Sequence, residues 1–213
     1  MIELKIEDYK NDDEVILWRG KPNKDVYIKE RIFTPLAIFA LIWLIFDIGF
    51  LAIIFTNMDG ELEFFKYIII PFMLLHLMPV WVYLGRVIFS VRSYNNTNYM
   101  VTDKAIYATS GIFTVNCDRK TFQEVTNVSF HQGIIDKNHN VGDVFIQTGT
   151  VSTKNGMKPV GIDIIDIEDF LKVYKLINKT GTDIFSDTMY TNDLRPNTNH
   201  GYNTKYVNDE EDD

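Results

Sequence analysis

The chain has 213 residues, 46% of them hydrophobic, a formal net charge of −8 and one cysteine, Cys117. That length leaves room for about one compact domain plus appendages, and a lone cysteine excludes both an internal disulfide framework and a multi-cysteine zinc or iron–sulfur centre. A mean hydropathy near zero hides an asymmetry, because two long apolar stretches near the front are offset by a polar, acidic end.

Residues 1–31 read as a charged cytoplasmic segment. They lack the short hydrophobic core and small-residue cleavage site of a secretory signal. Within them "EVILWRGKP", Glu14 to Pro22, contains Val15, Leu17 and Trp18. These residues are candidates for an edge strand docked on the domain downstream, the alternative being a separate juxtamembrane turn.

A transmembrane hairpin is expected over 32–92. Its first apolar stretch runs from Ile32 or Phe33 to Thr56 and its second from about Phe64 to Val91, with spans at about 33–56 and 66–88. Each exceeds the roughly 20 residues that a spanning helix needs. Arg19, Lys21, Lys24, Lys29 and Arg31 precede the first span and Arg86 and Arg92 end the second, whereas the connecting "TNMDGELEFFK" carries three acids and only Lys66. The positive-inside rule therefore puts both termini in the cytoplasm. Arg31, Trp81, Tyr83, Arg86 and Arg92 are the expected inner-interface anchors, the cations snorkelling and the rings forming an aromatic belt.

Asp47 lies well inside the first span. A carboxylate there costs about 2.5 to 3.5 kcal/mol on insertion scales, which makes it a functional-site candidate with a partner to be named. Counting the helical rise inward from Phe55 places Asp47 roughly 12 Å deep, and counting from Tyr67 places His76 roughly 13 to 14 Å deep. The two fall at one level, where an antiparallel hairpin lets them share a hydrogen bond or a proton. The expected role is an interhelical or intermolecular clip, worth about 0.6 kcal/mol on average for polar contacts in membranes. Pro71 and Pro79 flank His76 and are expected to kink the second helix, freeing carbonyls that the histidine could also meet.

After "VRSYNN" the pattern changes to short alternating segments. "NYMVTD", "AIYATSG", "IFTVNCD", "TFQEVTNVSFHQ", "DVFIQTGT" and "VGIDIID" are rich in β-branched and aromatic residues and bounded by turn residues, so they read as strands. In "DIEDFLKVYKLINKTG" the period becomes helical, with Phe170, Val173, Tyr174 and Ile177 on one face. Asp166 is the candidate cap and Gly181 the candidate stop. The fold class expected is α+β: the transmembrane hairpin followed, over 96–180, by an antiparallel β-barrel or curved sheet closed by a C-terminal helix. Residues 181–213 hold most of the net negative charge, have few aliphatic residues and read as a disordered acidic tail.

The succession "YMVTDKAIYATSGIF", "FQEVTNVSFHQGIID" and "VGDVFIQT" before a helix resembles the bacterial pleckstrin-homology-like domain of small, YdbS-like membrane proteins, which also place "EVILWRGKP" ahead of a two-helix hairpin. The resemblance covers about Glu14 to Asn178. It implies a membrane-anchored domain of a prokaryotic plasma membrane, without established catalysis. Asp47 and the long acidic tail depart from the family pattern, and the resemblance transfers no binding residues.

"DKNHNVG" begins like a calcium loop at Asp136, Asn138 and Asn140, but Val141 stands where the glycine is required and Gln147 where the bidentate acid is required, so a polar hairpin turn is expected. His131 and His139 would need a third donor to hold a metal. No phosphate loop, dinucleotide fingerprint or activated nucleophile is present. Neither a cofactor, a metal, catalysis nor a nucleic-acid partner is expected. Lys104, Arg119 and Lys120 are the candidate contacts to an anionic head group, diluted by Asp103 and Asp118. The leading expectation is an integral-membrane, non-enzymatic interaction or assembly module with a protein partner or a second copy. Lipid sensing is the alternative, and an oligomeric transporter using Asp47 and His76 a third reading.

Overall fold

The computed structural model describes residues 5–57, 63–154 and 156–189. In chain order the elements are β1 (Ile16–Gly20), α1 (Lys24–Ile32), α2 (Pro35–Asn57), α3 (Glu63–His76), α4 (Met78–Ile88), α5 (Ser90–Asn96), β2 (Asn98–Thr102), β3 (Ala105–Ser110), β4 (Asn116–Thr121), β5 (Asn127–His131), α6 (Ile134–His139), β6 (Gly142–Thr153), β7 (Gly156–Ile167) and α7 (Phe170–Met189). They fall into two compact units. One combines the chain up to Val26 with everything from Arg92 onward, and the other is Tyr27–Val91.

The first unit holds two antiparallel sheets, β1-β2-β3-β4 and β5-β6-β7. β1, from the far side of the apolar stretches, pairs with β2, placing Trp18 opposite Val101 and Gly20 opposite Tyr99. The sheets do not join into a closed barrel, because among the described residues no ladder links β4 to β5. Between them the chain makes a 3-10 turn at Phe122–Glu124, in which the Glu124 carboxylate accepts the Thr121 N–H at 2.9 Å and Phe122 is sunk into the core. The "IFTVNCD" segment becomes a strand only from Asn116. Gly111, at φ +136, starts a turn so tight that a Cβ there would lie 1.9 Å from the Thr114 carbonyl oxygen.

The long β6–β7 hairpin supplies the centre of the core. Val144, Ile146, Ile162 and Ile164 alternate inward and are buried with Val101, Ile106 and Trp18 of the other sheet. Each such side chain contributes about 1.5–3 kcal/mol by leaving water. At Gly161 β7 passes so close to β6 that a Cβ would meet the Ile146 carbonyl oxygen at 1.8 Å, next to the bulge at Gln147/Gly149. The opposite face of the four-stranded sheet is covered as well. Met100, Ala105 and Tyr107 pack there with Ile6 of the 3-10 turn Ile6–Tyr9.

Three local expectations change. α7 does not stop at Gly181 but runs to Met189, because Ile184 prolongs the buried stripe of Phe170, Val173 and Ile177. That packing outweighs the roughly 1 kcal/mol cost of a glycine within a helix. The expected disordered tail therefore begins inside a helix, and residues 190–213 lie outside the described residues. Asp166 does not cap α7; it sits near the end of β7 at φ +57, its N–H donating to Asp143 at 2.9 Å and its carbonyl accepting the Asn23 N–H at 2.7 Å. Finally, "DKNHNVG" is not a hairpin turn. It forms the end of α6, with Asn140 in the left-handed region and the buried Asp136 carboxylate accepting the Gly133 N–H at 2.7 Å.

In the second unit, Pro35–Thr56 of α2 is long and apolar enough to cross a membrane, and only 11% of its most apolar window is buried. The returning stretch is not one helix: Tyr67–His76 and Met78–Ile88 are bent by 50° at Leu77. α3 passes through Pro71 unbroken, and the break falls where Pro79 has no N–H to donate. The N–H groups of Val80 and Trp81 turn instead to the Leu77 carbonyl, at 2.9 and 3.1 Å. Tyr83 meets Ile32 at 3.3 Å and His76 meets Asp47 at 3.0 Å.

A buried carboxylate, paired with a partly exposed arginine, ties the segment before β1 to its sheet. The Glu14 side chain is 0% exposed and accepts hydrogen bonds from Arg119 at 2.9 Å, Thr102 at 2.8 Å, Tyr107 at 3.0 Å and Asn11 at 2.7 Å. Burial alone would raise its carboxyl, but the bonds from Arg119, Thr102 and Tyr107 hold it below its ordinary value of 4.5. A lowered folded-state value means that this stabilisation is complete above the ordinary value and is lost as pH falls through the lowered one. Glu14→Gln should cost roughly 1.5–3 kcal/mol at neutral pH. Unfolding of the full chain in detergent should show that difference constant at neutral pH and shrinking as pH falls below 4.5 through the lowered value. A difference independent of pH would show that the carboxylate charge contributes nothing.

Candidate functional site

Among the described residues the apolar helices hold one side-chain pair of ionisable groups. His76 Nδ1 and Asp47 Oδ1 are 3.0 Å apart, with the Asp47 side chain 2% exposed and that of His76 30%. Asp47 Oδ2 has no hydrogen-bond partner among the described residues. The imidazole stacks on Trp43 at 4.9 Å and on Phe72 at 5.7 Å between centroids. Carbonyls left open at the helix break are met by indoles rather than by the histidine: Trp43 Nε1 donates to His76 O and Trp81 Nε1 to Leu74 O, both at 2.9 Å. A carboxylate and an imidazole at this distance can share a proton and fix the register of α2 against α3.

The expected interface anchors divide. Arg31 stacks on Tyr27, 3.3 Å from the ring centroid, and donates to the Tyr27 carbonyl at 2.9 Å. The Tyr83 hydroxyl donates to Ile32 O at 3.3 Å. Arg86 lies exposed in the last turn of α4. Arg92, in the other unit, sits 5.3 Å from the Phe113 ring centroid.

The three cations read as head-group contacts are each engaged by a carboxylate. Lys104 pairs with Asp13, Arg119 with Glu14, and Lys120 with Glu124 at 3.4 Å. Arg119 also donates to the Tyr107 hydroxyl at 2.8 Å. Each pair places an acid beside the cation that was read as a head-group contact. The partners of Lys104 and Arg119 lie in the N-terminal segment, so spacing within the strands gave no sign of them.

Two grooves open on the first unit. One, of about 850 Å³, lies among the 3-10 turn Ile6–Tyr9, the end of β1, α5 and the start of β2, and Lys5, Arg19 and Lys21 line it. The other, of about 710 Å³, runs between β5 and the second half of α7 and is lined by Phe122, Val125, Val128, Ile177 and Ile184. Neither was legible in the sequence, because each is assembled from segments far apart in the chain.

A double-mutant cycle on Asp47→Ala and His76→Ala, read from unfolding of the full chain in detergent, should give a coupling of about 0.5–1.5 kcal/mol, the net worth of one hydrogen bond. Additive effects would show that the two side chains are neighbours without being linked.

The family model for the bacterial PH domain matches residues 36–180. No curated protein and no solved structure matches the chain. The matched stretch takes in the apolar helices, strands β2 to β7 and the first half of α7, while β1, which pairs with β2, lies upstream of it. It covers more than half of the sequence, and the chain belongs to the bacterial PH domain family.

Proposed function

We propose that this chain is a non-enzymatic protein anchored by a transmembrane hairpin, with both termini cytoplasmic, whose PH-like unit binds an extended segment of a protein partner or of a second copy. Membrane anchoring is supported by the exposure of α2, which is apolar all round: Ile38, Leu41, Ile45, Phe46 and Ile53 are all more than half exposed. A helix of that composition in a soluble core would be covered.

The observation that carries the binding role is the edge of β5. Of the four strands that end the two sheets, β1 carries Arg19, β4 carries Asp118, Arg119 and Lys120, and β7 carries Lys158, Pro159 and Asp163. Charges and proline are the usual guards against unwanted strand pairing. β5, "NVSFH", has neither acid, lysine, arginine nor proline, and the apolar groove against α7 runs beside it. An added strand would gain main-chain hydrogen bonds from the edge and side-chain burial from the groove.

Photo-crosslinking from position 129 in native membranes tests this reading. A discrete protein adduct is expected there and none from position 158 on the guarded β7 edge. Ser129→Lys should remove partner capture while shifting stability by no more than about 0.5 kcal/mol, since the residue is exposed. Equal adducts from both edges, or capture unaffected by Ser129→Lys, would contradict the reading.

A further inference from the structure

We infer that the β5 edge and the groove beside it are covered, in the absence of a partner, by the chain's own segment Tyr202–Val207. The inference rests on the reading of β5 as a strand acceptor and names the occupant that holds the site before a partner arrives. A sheet edge without charge or proline invites pairing, and proteins guard such edges or cover them. β1, β4 and β7 carry their own guards, whereas "NVSFH" carries none. Cover for β5 has therefore to come from elsewhere in the chain or from a second molecule.

The groove runs from Phe122, Val125 and Val128 to Ile177, Ile184 and Phe185, and among the described residues none that lines it is charged. α7 lies along β5 in the opposite sense. Phe130, near the end of the strand, meets Phe170 and Tyr174 at the start of the helix, at 5.8 and 5.2 Å between ring centroids. The later turns of α7 accordingly line the groove with Val125 and Asn127, where the strand begins. Met189 follows Phe185 by one further turn, about 6 Å of helical rise. The chain beyond it thus sets off from the Val125 end of the groove.

Residues 190–213 hold one stretch suited to that surface. Their first part is interrupted by Asp193 and Pro196, and their last is the acidic "NDEEDD". Between them "GYNTKYV", Gly201 to Val207, has no acid and no proline and is rich in β-favouring residues. At a period of two, Tyr202, Thr204 and Tyr206 share one face and Asn203, Lys205 and Val207 the other. The first face brings two aromatic rings and no charge to an uncharged wall, and Lys205 is left to solvent. Twelve residues separate Met189 from Tyr202. Fully extended they reach about 40 Å, more than twice the roughly 17 Å of a five-residue strand, so the segment can lie along β5 in either direction. A tether of this length presents its end at an effective concentration of about 1 mM, which favours the cover over any free segment of equal affinity.

The test uses the full chain in detergent with a photo-crosslinking residue at position 129, an equal mixture of isotope-labelled and unlabelled chains separating links within one chain from links between two. Links from 129 to 201–207 are expected within single chains, and Tyr202→Ser together with Tyr206→Ser should remove them. A fluorescent peptide of residues 200–208 gives the second readout. It should bind the doubly substituted chain about tenfold more tightly than the unaltered one, as a tether of about 1 mM competing with a free peptide of Kd about 0.1 mM requires. Adding Ser129→Lys to the substituted chain should abolish that binding. Links between chains would overturn the cover in favour of a second copy. No link from 129 to 201–207, or peptide binding equal in the two chains, would overturn it, while a partner adduct from 129 in native membranes would leave the strand-acceptor reading standing. Failure of that adduct as well would contradict both.

Discussion

Everything in the first unit depends on a pairing made across the apolar helices. β1 and β2 flank the whole of the second unit in sequence, yet they lie side by side, and Asp103 Oδ1 accepts the Val15 N–H at 2.8 Å across a separation of 88 residues. A contact so distant carries a loop-closure cost, and the structure offsets it twice. Trp18 enters the core on one face of the sheet, and Glu14 locks to Arg119, Tyr107 and Thr102 on the other. An isolated buried carboxylate would be strongly destabilising, so the segment is held only when all its partners are present.

This arrangement makes the apolar helices an insertion within one folding unit rather than a preceding domain. In the second unit Tyr83 reaches Ile32 and His76 reaches Asp47. The break at Leu77 then raises a second problem, open carbonyls on helices with little polar surface around them. Two tryptophans solve it locally, each covering one carbonyl. Trp43 thereby joins the Asp47–His76 link, since its indole both stacks on the imidazole and bonds the histidine's own carbonyl.

What the sequence made legible was local. Alternating Val, Ile and Tyr over Asn98–Thr102 and Ala105–Ser110 identified strands, and the spacing of Phe170, Val173 and Ile177 identified the face that α7 buries. Helical rise alone put Asp47 and His76 at one depth, and the structure sets them 3.0 Å apart. What was not legible required distant partners. The cations Lys104 and Arg119 look available until Asp13 and Glu14 are brought to them from the other end of the unit. Gly181 reads as a helix stop until Ile184 is seen in the core. Between β4 and β5, which share no ladder among the described residues, lies the turn Phe122–Glu124, a feature that alternation of residue types does not encode.

Hydrogen exchange of the full chain in a bilayer mimetic tests the insertion most directly. If β1 is an integral strand, those amides of Ile16–Gly20 that bond to β2 will be protected like their partners in Asn98–Thr102, and protection of the two will be lost together on unfolding. Rapid exchange of every amide across Ile16–Gly20 while β2 and β3 stay protected would contradict the account, because β2, β3 and β4 would then hold together without the N-terminal segment.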